Sequence, residues 1–507
     1  MRVERSSDVA SSDRGFNFRV DHLSVGLKQR TVRGAALTIA SQSLRMLMHL
    51  GSTAVLARQL APEDFGLVGM VSVVTGALMV FSNLGISSAI IQRPEIDNRQ
   101  MSTLFWINFG LGAGLTLLTV AIAPALAWFY HDQRLVALTV AMGFGFLISG
   151  VGVQHGALLR REMRFGVLAA IEIGSIVVAA ATGILLASIR FGYWSLALMQ
   201  LAALFTISGA AWTFCGWRPG WPCRAAGIGP MVAFGAHVTT FGALNFVVRN
   251  CDNMLIGWRW GAAELGQYSK AYQLSLFPLA QIIAPITNVA VPALSRLQHD
   301  PIRYRQYYLE AIRLIGYCTT PLVLFLGVCS REIVYLILGP QWSQAGHLFQ
   351  LLILSSVGQP IASTTGWLFQ SRDRARAMAR WGLISGPIFV LSFIIGLPWG
   401  AEGVAISYIV AGWLLAYPCF VMAVRSTPVS MTDIGLACYR PLTVGLLAGI
   451  AMFVTRSTAA PGHGMLLTLV LTGSAGLIAT LLVGCFWMAV REDFGGMIRI
   501  LRNIARP

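Results

Sequence analysis

Charge is what this sequence most lacks. Only 11% of its 507 residues are Asp, Glu, Lys or Arg, and 56% are hydrophobic. Soluble domains carry about 25% charged residues. A water-soluble fold of this length could not be given a polar surface from so few charges, whereas lipid as solvent removes that need. Paired cysteines are also missing. The eight cysteines (Cys215, Cys223, Cys251, Cys318, Cys329, Cys419, Cys438, Cys485) form no CxxC pair and lie mostly in or beside apolar runs, where a thiol acts as a small hydrophobe. The eight histidines show no ligand spacing. Neither a disulfide framework, a metal site nor a cofactor is expected. Residues 1–30 are polar and basic with no apolar core segment, so no cleavable signal peptide is expected. Long connections are absent as well. No segment between apolar runs is large enough for a soluble catalytic domain, and an enzyme is not expected.

What remains is a series of apolar runs. About 20 helical residues cross the hydrocarbon core, and the candidate spans are 33–58, 65–91, 101–127, 135–158, 166–188, 192–214, 229–257, 263–294, 311–329, 344–370, 378–396, 401–424, 441–455 and 465–490. The runs lack the period-2 alternation of a β-barrel, the only other fold that can span. The stretch 331–342 is too short to cross and is expected to lie along an interface or to extend the preceding helix. The expectation is an all-α integral membrane protein of about 14 transmembrane helices.

The net charge of +16 would suggest nucleic acid in a soluble protein. Here the basic residues cluster in alternate connections, so topology explains them and no nucleic-acid partner is expected. Arg160, Arg161 and Arg164 share one connection, and Arg372, Arg374, Arg376 and Arg380 another; the intervening ones hold single residues such as Arg58, Arg134, Arg190 and Arg259. The positive-inside rule then places both termini in the cytoplasm.

An internal echo divides the chain. Ala57-Arg-Gln-Leu-Ala-Pro-Glu-Asp-Phe-Gly66 follows the first span, and Gly257-Trp-Arg-Trp-Gly-Ala-Ala-Glu-Leu-Gly266 follows the seventh, at an ungapped offset of 200 residues. Six spans separate the copies, so both run the same way through the membrane, as in parallel repeats with a substrate path between them. The expected organisation is a basic tail (1–32), a six-helix lobe (33–214), a linker (215–228), a second six-helix lobe (229–424) related to the first by a pseudo-two-fold, two extra helices (425–490) and a tail (491–507). Chance is the competing reading, since a small-residue turn followed by an acid and a glycine is common between helices.

Several stretches carry a more specific signal. VLARQLAPEDFGLVGMVSVVTGALMVFSNLGISSAIIQ (55–92), MSTLFWINFGLG (101–112), RNCDNMLIGWRWGAAELGQYSKAYQL (249–274), VPALSRLQHD (291–300), LGPQW (338–342) and GAEGVAISY (400–408) resemble the Wzx-type polysaccharide transporters of the multidrug/oligosaccharidyl-lipid/polysaccharide superfamily, in the colanic-acid and exopolysaccharide branch. The resemblance runs from about Arg33 to Arg425. It implies a flippase in the bacterial inner membrane that moves undecaprenyl-diphosphate-linked oligosaccharide from the cytoplasmic to the periplasmic leaflet, for exopolysaccharide, capsule or lipopolysaccharide biosynthesis. It also implies membrane lipid around the substrate tail, and a polysaccharide polymerase and co-polymerase as partners. Two rivals stand beside it: a multidrug and toxin extruder of the same superfamily, and a membrane polysaccharide polymerase.

A diphosphate-sugar headgroup would need a hydrated, cationic path, and charges inside spans are costly enough to mark one. Arg45 lies near mid-membrane on the first span; it is either a cavity cation or an arginine paired to a carbonyl or carboxylate. Arg249 and Asp252 share a face of the seventh span with Asn250 beside them; they either line a cavity or neutralise each other. Lys270 on the eighth span is either a further cavity cation for the substrate or a lysine that snorkels to the outer interface, which lies within its reach. Glu172 and Asp252 are candidates for ion coupling, with pairing to Arg164 as the plain alternative for Glu172. Pro278, Pro285 and Pro292 recur every seven residues on one face and are either hinges or static kinks.

Overall fold

The computed structural model describes residues 44–82, 97–222, 246–459 and 464–493. Parts of three expected spans (33–43, 83–91 and 229–245) lie outside them. Within the described residues the chain is helical and contains no strand, because lipid leaves backbone groups no partners but each other. Ten helical runs are long and apolar enough to cross a membrane, and the protein is a multi-pass membrane protein.

In chain order the elements are α1 (44–59), α2 (Pro62–Ser82), α3 (Asn98–Tyr130), α4 (Arg134–Arg161), α5 (Phe165–Ser188) and α6 (Tyr193–Cys215). Next comes the run Cys251–Arg296, which is a hairpin. Gly261, at φ 83° and ψ −176°, turns the chain back on itself, a conformation open to glycine because it has no Cβ. We call the arms α7 (251–260) and α8 (262–296). The fold-back is measurable: the Tyr268 hydroxyl lies 2.9 Å from Asp252, whereas a straight helix would separate residues 16 apart by about 24 Å. Beyond it lie α9 (Pro301–Val328), α10 (Ser330–Leu338), a 3-10 turn at Pro340–Trp342, and α11 (Ser343–Ser355). The short 331–342 stretch is therefore a separate helix and turn. The expected span 344–370 is broken into α11, α12 (Gln359–Ser363) and α13 (Thr365–Ser371). Then come α14 (Ala375–Gly396), α15 (Gly400–Val424), α16 (Met431–Ala459) and α17 (Met465–Phe486). Gly400, at φ 72°, turns α14 into α15.

The two members of the sequence echo meet face to face. A Cβ on Gly66 would overlap the Ala262 carbonyl, and one on Gly266 would overlap the Pro62 carbonyl. Positions 62 and 262, like 66 and 266, are partners in the echo. The contact is thus reciprocal, as in an isologous interface, and has the form that a two-fold axis between α2 and α8 produces. The largest buried cluster surrounds this contact, from Leu60 and Leu67 on one side to Leu265 and Tyr268 on the other.

The last helices are fastened to α9. Glycines on α16 let the backbones approach: a Cβ on Gly449 would stand 3.0 Å from the Leu324 side chain, and one on Gly445 would overlap Thr320. Small residues do this work in lipid, where apolar side chains gain nothing by leaving the bilayer. At the end bearing the arginine-rich connections, Asp493 accepts from Arg313 (3.3 Å) and Arg440 (3.2 Å), and Arg305 pairs with Asp433. Across the bundle, Arg456 pairs with Glu332 at 2.9 Å. At that same end of the chain's first half, Arg134 bridges Glu63 at 2.6 Å and Asp132 at 2.7 Å and holds the Asp132 carboxyl below its ordinary range.

Gly445→Ala tests the close packing of α16 on α9. The added methyl would overlap Thr320, so the variant should lose about 1–3 kcal/mol, read as a lower midpoint of thermal unfolding in detergent. Gly435→Ala, where a Cβ meets nothing within 4 Å, should not lower the midpoint, because alanine favours the helix over glycine.

Candidate functional site

A cavity of about 600 Å³ lies between the halves of the molecule. Its walls come from faces of five elements. His49, Thr53 and Leu56 follow one another at helical spacing on α1; Phe65, Gly69 and Ser72 do so on α2; Gln200 comes from α6. Across from them stand Asn250 and Asn253 near the start of α7, with Ser269, Lys270 and Gln273 on α8. The spacing of three and four residues puts each set on one helix face. The polar wall is made of amides, hydroxyls, one imidazole and one ammonium. Among the described residues that line it there is no carboxylate.

Lys270 is the cation of this cavity. Its ammonium sits 4.4 Å from the centroid of the Phe65 ring and donates to Gln273 Oε1 at 3.1 Å. The ring supplies a cation–π contact without neutralising the charge, which leaves the ammonium free to meet an anion. Lys270 therefore faces the cavity between the halves, the first of the two placements that its position in the span allowed. Asn250 lines the cavity too, with its Nδ2 held by the Phe246 carbonyl at 2.8 Å. The Oδ1 of Asn253 is buried and has no partner; a buried acceptor without a donor costs energy until something donates to it.

Arg249 and Asp252 do not pair. Asp252 is 2% exposed and accepts from the Tyr268 hydroxyl at 2.9 Å and from the Asn253 backbone N–H at 2.7 Å. Arg249 is exposed and has no ion-pair partner among the described residues. The self-neutralising pair is thus replaced by a carboxylate held inside the second half and a free guanidinium beside it. The carboxylate ties α7 to α8, because Tyr268 reaches back across the Gly261 turn.

Arg45 and Glu172 find each other. Their side chains lie 3.3 Å apart, joining α1 to α5, and both are partly exposed, at 44% and 39%. Arg45 is one helical turn from His49, so it lies on the helix face that turns into the cavity wall. Arg164, the expected partner of Glu172, instead reaches Glu162 at 3.6 Å and the Phe214 carbonyl at 2.9 Å. Pro278, Pro285 and Pro292 all sit inside α8, and Gly261 is the single position with non-helical angles in Cys251–Arg296.

Sequence reasoning singled out charges and passed over most of the neutral lining. His49, Thr53, Ser72, Gln200 and Gln273 carry no net charge at neutral pH and are unremarkable one at a time. Their signal was the periodicity: 49 and 53, 65, 69 and 72, then 269, 270 and 273 fall on single helix faces.

The helix ends around the α1–α2 turn stand beside Leu56 and Phe65 of the cavity wall. The indole N–H of Trp342 and the amide of Gln341 both donate to the Ala57 carbonyl, at 2.8 and 2.6 Å. Arg58 donates to the Leu336 carbonyl at 2.5 Å.

Comparison with known proteins agrees with this architecture. Lipopolysaccharide biosynthesis protein WzxC of Escherichia coli (strain K12) is 26% identical over 412 residues, covering 78% of this chain and 82% of its own. Amylovoran biosynthesis protein AmsL of Erwinia amylovora is 26% identical over 383 residues, covering 73% of this chain and 97% of its own. Among solved structures, the lipid II flippase MurJ in an inward closed conformation superposes with a TM-score of 0.71 at 13% identity, over 90% of this chain and 99% of that one. At that identity the likeness is one of fold. Residues 55–346 match the family described as polysaccharide biosynthesis proteins. That match takes in the α1–α2 turn, the reciprocal glycines, the cavity wall apart from His49 and Thr53, and the Gln341–Trp342 turn, and the chain belongs to this family of polysaccharide biosynthesis proteins.

Proposed function

We propose that the protein is a flippase that carries undecaprenyl-diphosphate-linked oligosaccharide from the cytoplasmic to the periplasmic leaflet of the bacterial inner membrane. The observation that carries this reading is the character of the cavity: it lies between two halves of one chain, and its otherwise apolar wall carries amides, hydroxyls and a lysine, with no carboxylate among its described lining residues. Such a wall suits an anionic headgroup with sugar hydroxyls and repels none of it. Names given to relatives, in lipopolysaccharide and amylovoran biosynthesis, support the substrate class. The polyprenyl tail stays in lipid while the headgroup crosses.

In this reading the lobes are 33–214 and 229–424, both termini are cytoplasmic, and the α1–α2 turn faces the periplasm. Lys270 binds the diphosphate, while Asn250, Asn253 and Gln200 take sugar hydroxyls. Arg249 and Arg45 lie on the route by which the headgroup arrives. Asp252 and the Arg45–Glu172 pair are the places where an ion could couple to the movement, and α8 bends at Pro278, Pro285 and Pro292 as the lobes rock. A polymerase and co-polymerase take the product on. A multidrug and toxin extruder would want acidic residues for its cationic cargo, and none is among the described residues of this wall.

Lys270→Gln should cut export of the polymer in cells that depend on this protein, while Lys270→Arg should keep most of it. A charged hydrogen bond contributes about 1.5–3 kcal/mol, so binding should weaken on the order of 10- to 100-fold. The decisive assay is the location of lipid-linked repeat units in a deletion strain: they should accumulate unflipped. Repeat units that reach the periplasm unpolymerised would point to a polymerase, and normal export with increased sensitivity to cationic drugs would point to an extruder.

The Arg45–Glu172 pair can be tested by charge reversal. Arg45→Glu alone should abolish export. Combined with Glu172→Arg it should recover a normal level of folded protein in the membrane but not export, because the cation is then on the wrong helix. Full recovery of export by the double reversal would show the pair to be purely structural.

A further inference from the structure

The LGPQW segment (338–342) ties the second half of the chain to the end of α1. At the end of α1, Leu60 N–H bonds the Leu56 carbonyl at 2.9 Å, but Ala61 N–H turns away to the Asp64 carboxylate at 3.0 Å. The Ala57 carbonyl is therefore one of the orphan acceptors that every helix end leaves. It is satisfied from the other half of the chain, by Gln341 Nε2 at 2.6 Å and Trp342 Nε1 at 2.8 Å. Arg58 repays this in reverse at the end of α10, donating to the Leu336 carbonyl at 2.5 Å. The Trp342 ring is fully buried and meets Phe65 edge-on, centroids 5.3 Å apart. Phe65 is also the ring beneath Lys270.

The turn is itself held rigidly to α8. Gln267 donates to the Gln341 carbonyl at 2.9 Å and accepts the Ala345 N–H at 2.9 Å. Gly339, at φ 104°, gives the turn its shape, and a Cβ there would stand 3.1 Å from the Gln341 amide oxygen and 3.4 Å from Arg58. Gln267 lies one residue from Gly266, whose missing side chain lets α8 rest on the Pro62 carbonyl. One continuous structure thus runs from α8 through Gln267 and the turn to the end of α1.

From this geometry we propose that Gln341 and Trp342 form a latch that holds the α1–α2 end of the cavity shut and so sets which side of the membrane the cavity opens to. They are positioning residues that need not touch the substrate. The cavity cannot open at this end unless both bonds to Ala57 break and the indole leaves Phe65. Both donors converge on one oxygen, so either alone still satisfies it. Loss of one should matter little, and loss of both should matter more than the sum.

The proposal rests on the two-sided transport reading, but its test needs no substrate. Spin labels are placed at Glu63 and Ala263, next to the reciprocal contact, in full-length protein reconstituted in liposomes, and the distance distribution is measured by dipolar broadening of the continuous-wave spectrum for the short component and by pulsed electron–electron double resonance for the long one. The unmodified latch should give mainly the short distance. Gln341→Leu and Trp342→Phe, which preserve bulk and ring, should each change little. The double variant should move at least several-fold more molecules into a longer distance, with Trp413→Phe as a control that leaves the distribution alone. Thermal unfolding midpoints confirm that the double variant is folded; should it fail to fold, Gln267→Leu, which loosens the turn from α8, replaces it with the same expectation. A folded variant with an unchanged distribution overturns the latch and leaves the flippase reading standing. A changed distribution establishes the latch whichever way the repeat units of the deletion strain are located, so the two readings fail separately.

Discussion

The rest of the structure depends on two helix backbones being allowed to touch. In water, α2 and α8 could be driven together by burying apolar side chains. In lipid that drive disappears, because leucine is as comfortable against an acyl chain as against another leucine. What holds the helices is close approach: Gly66 over the Ala262 carbonyl and Gly266 over the Pro62 carbonyl. Because positions 66 and 266 are repeat partners, the same chemistry is used twice across one approximate axis. A cavity then has to appear beyond the contact, where side chains replace glycine and the helices diverge. Its walls on α1, α2, α7 and α8 are the continuation of the faces that meet at the glycines.

This arrangement explains why the charges are distributed as they are. Ion pairs fasten what should stay together: Arg305 to Asp433 and Arg313 to Asp493 between α9 and the last helices, and Arg440 to Asp493 among the last helices themselves. An isolated cation in lipid is costly, and Lys270 is tolerated because it opens on a cavity and rests on an aromatic face. Asp252 is held by a tyrosine hydroxyl and a backbone N–H, hydrogen bonds that satisfy a carboxylate without adding a second charge to the interior.

The membrane class, the helical fold and the echo were legible in the sequence because lipid enforces them on every residue of a span. Twenty apolar residues in a row have few alternatives, and a ten-residue repeat is visible without any structure. The break at Gly261 was legible too, as a boundary between spans. The partners were not. Nothing local says that Arg45 meets Glu172, 127 residues away, or that Asp252 ignores the arginine three residues before it in favour of Tyr268. Helical spacing shows which residues can share a face but not what the next helix presents to that face. Gln200 and Ser72 were missed for the same reason, since a neutral polar residue in a span has many harmless uses. The 344–370 run shows the converse: it is apolar enough to read as one continuous helix, yet it is interrupted after Ser355 and again at Thr364.

The chemistry at the α1–α2 end also bears on how such a molecule could move at all. A closure made of deeply buried ion pairs would be expensive to open, because each separated charge would have to be resolvated. The bonds to Ala57 are mostly of another kind. They join neutral amide and indole donors to a carbonyl at a helix end, and a net hydrogen bond of that type is worth only about 0.5–1.5 kcal/mol. A helix end at the head-group level has water at hand to replace the lost donors, whereas a carbonyl in mid-span has none. The closed and open arrangements can therefore lie close in free energy, and a modest difference in how each holds a headgroup is enough to shift the balance between them. Placing the grip at the helix end, rather than among the apolar side chains of the core, is what makes it reversible.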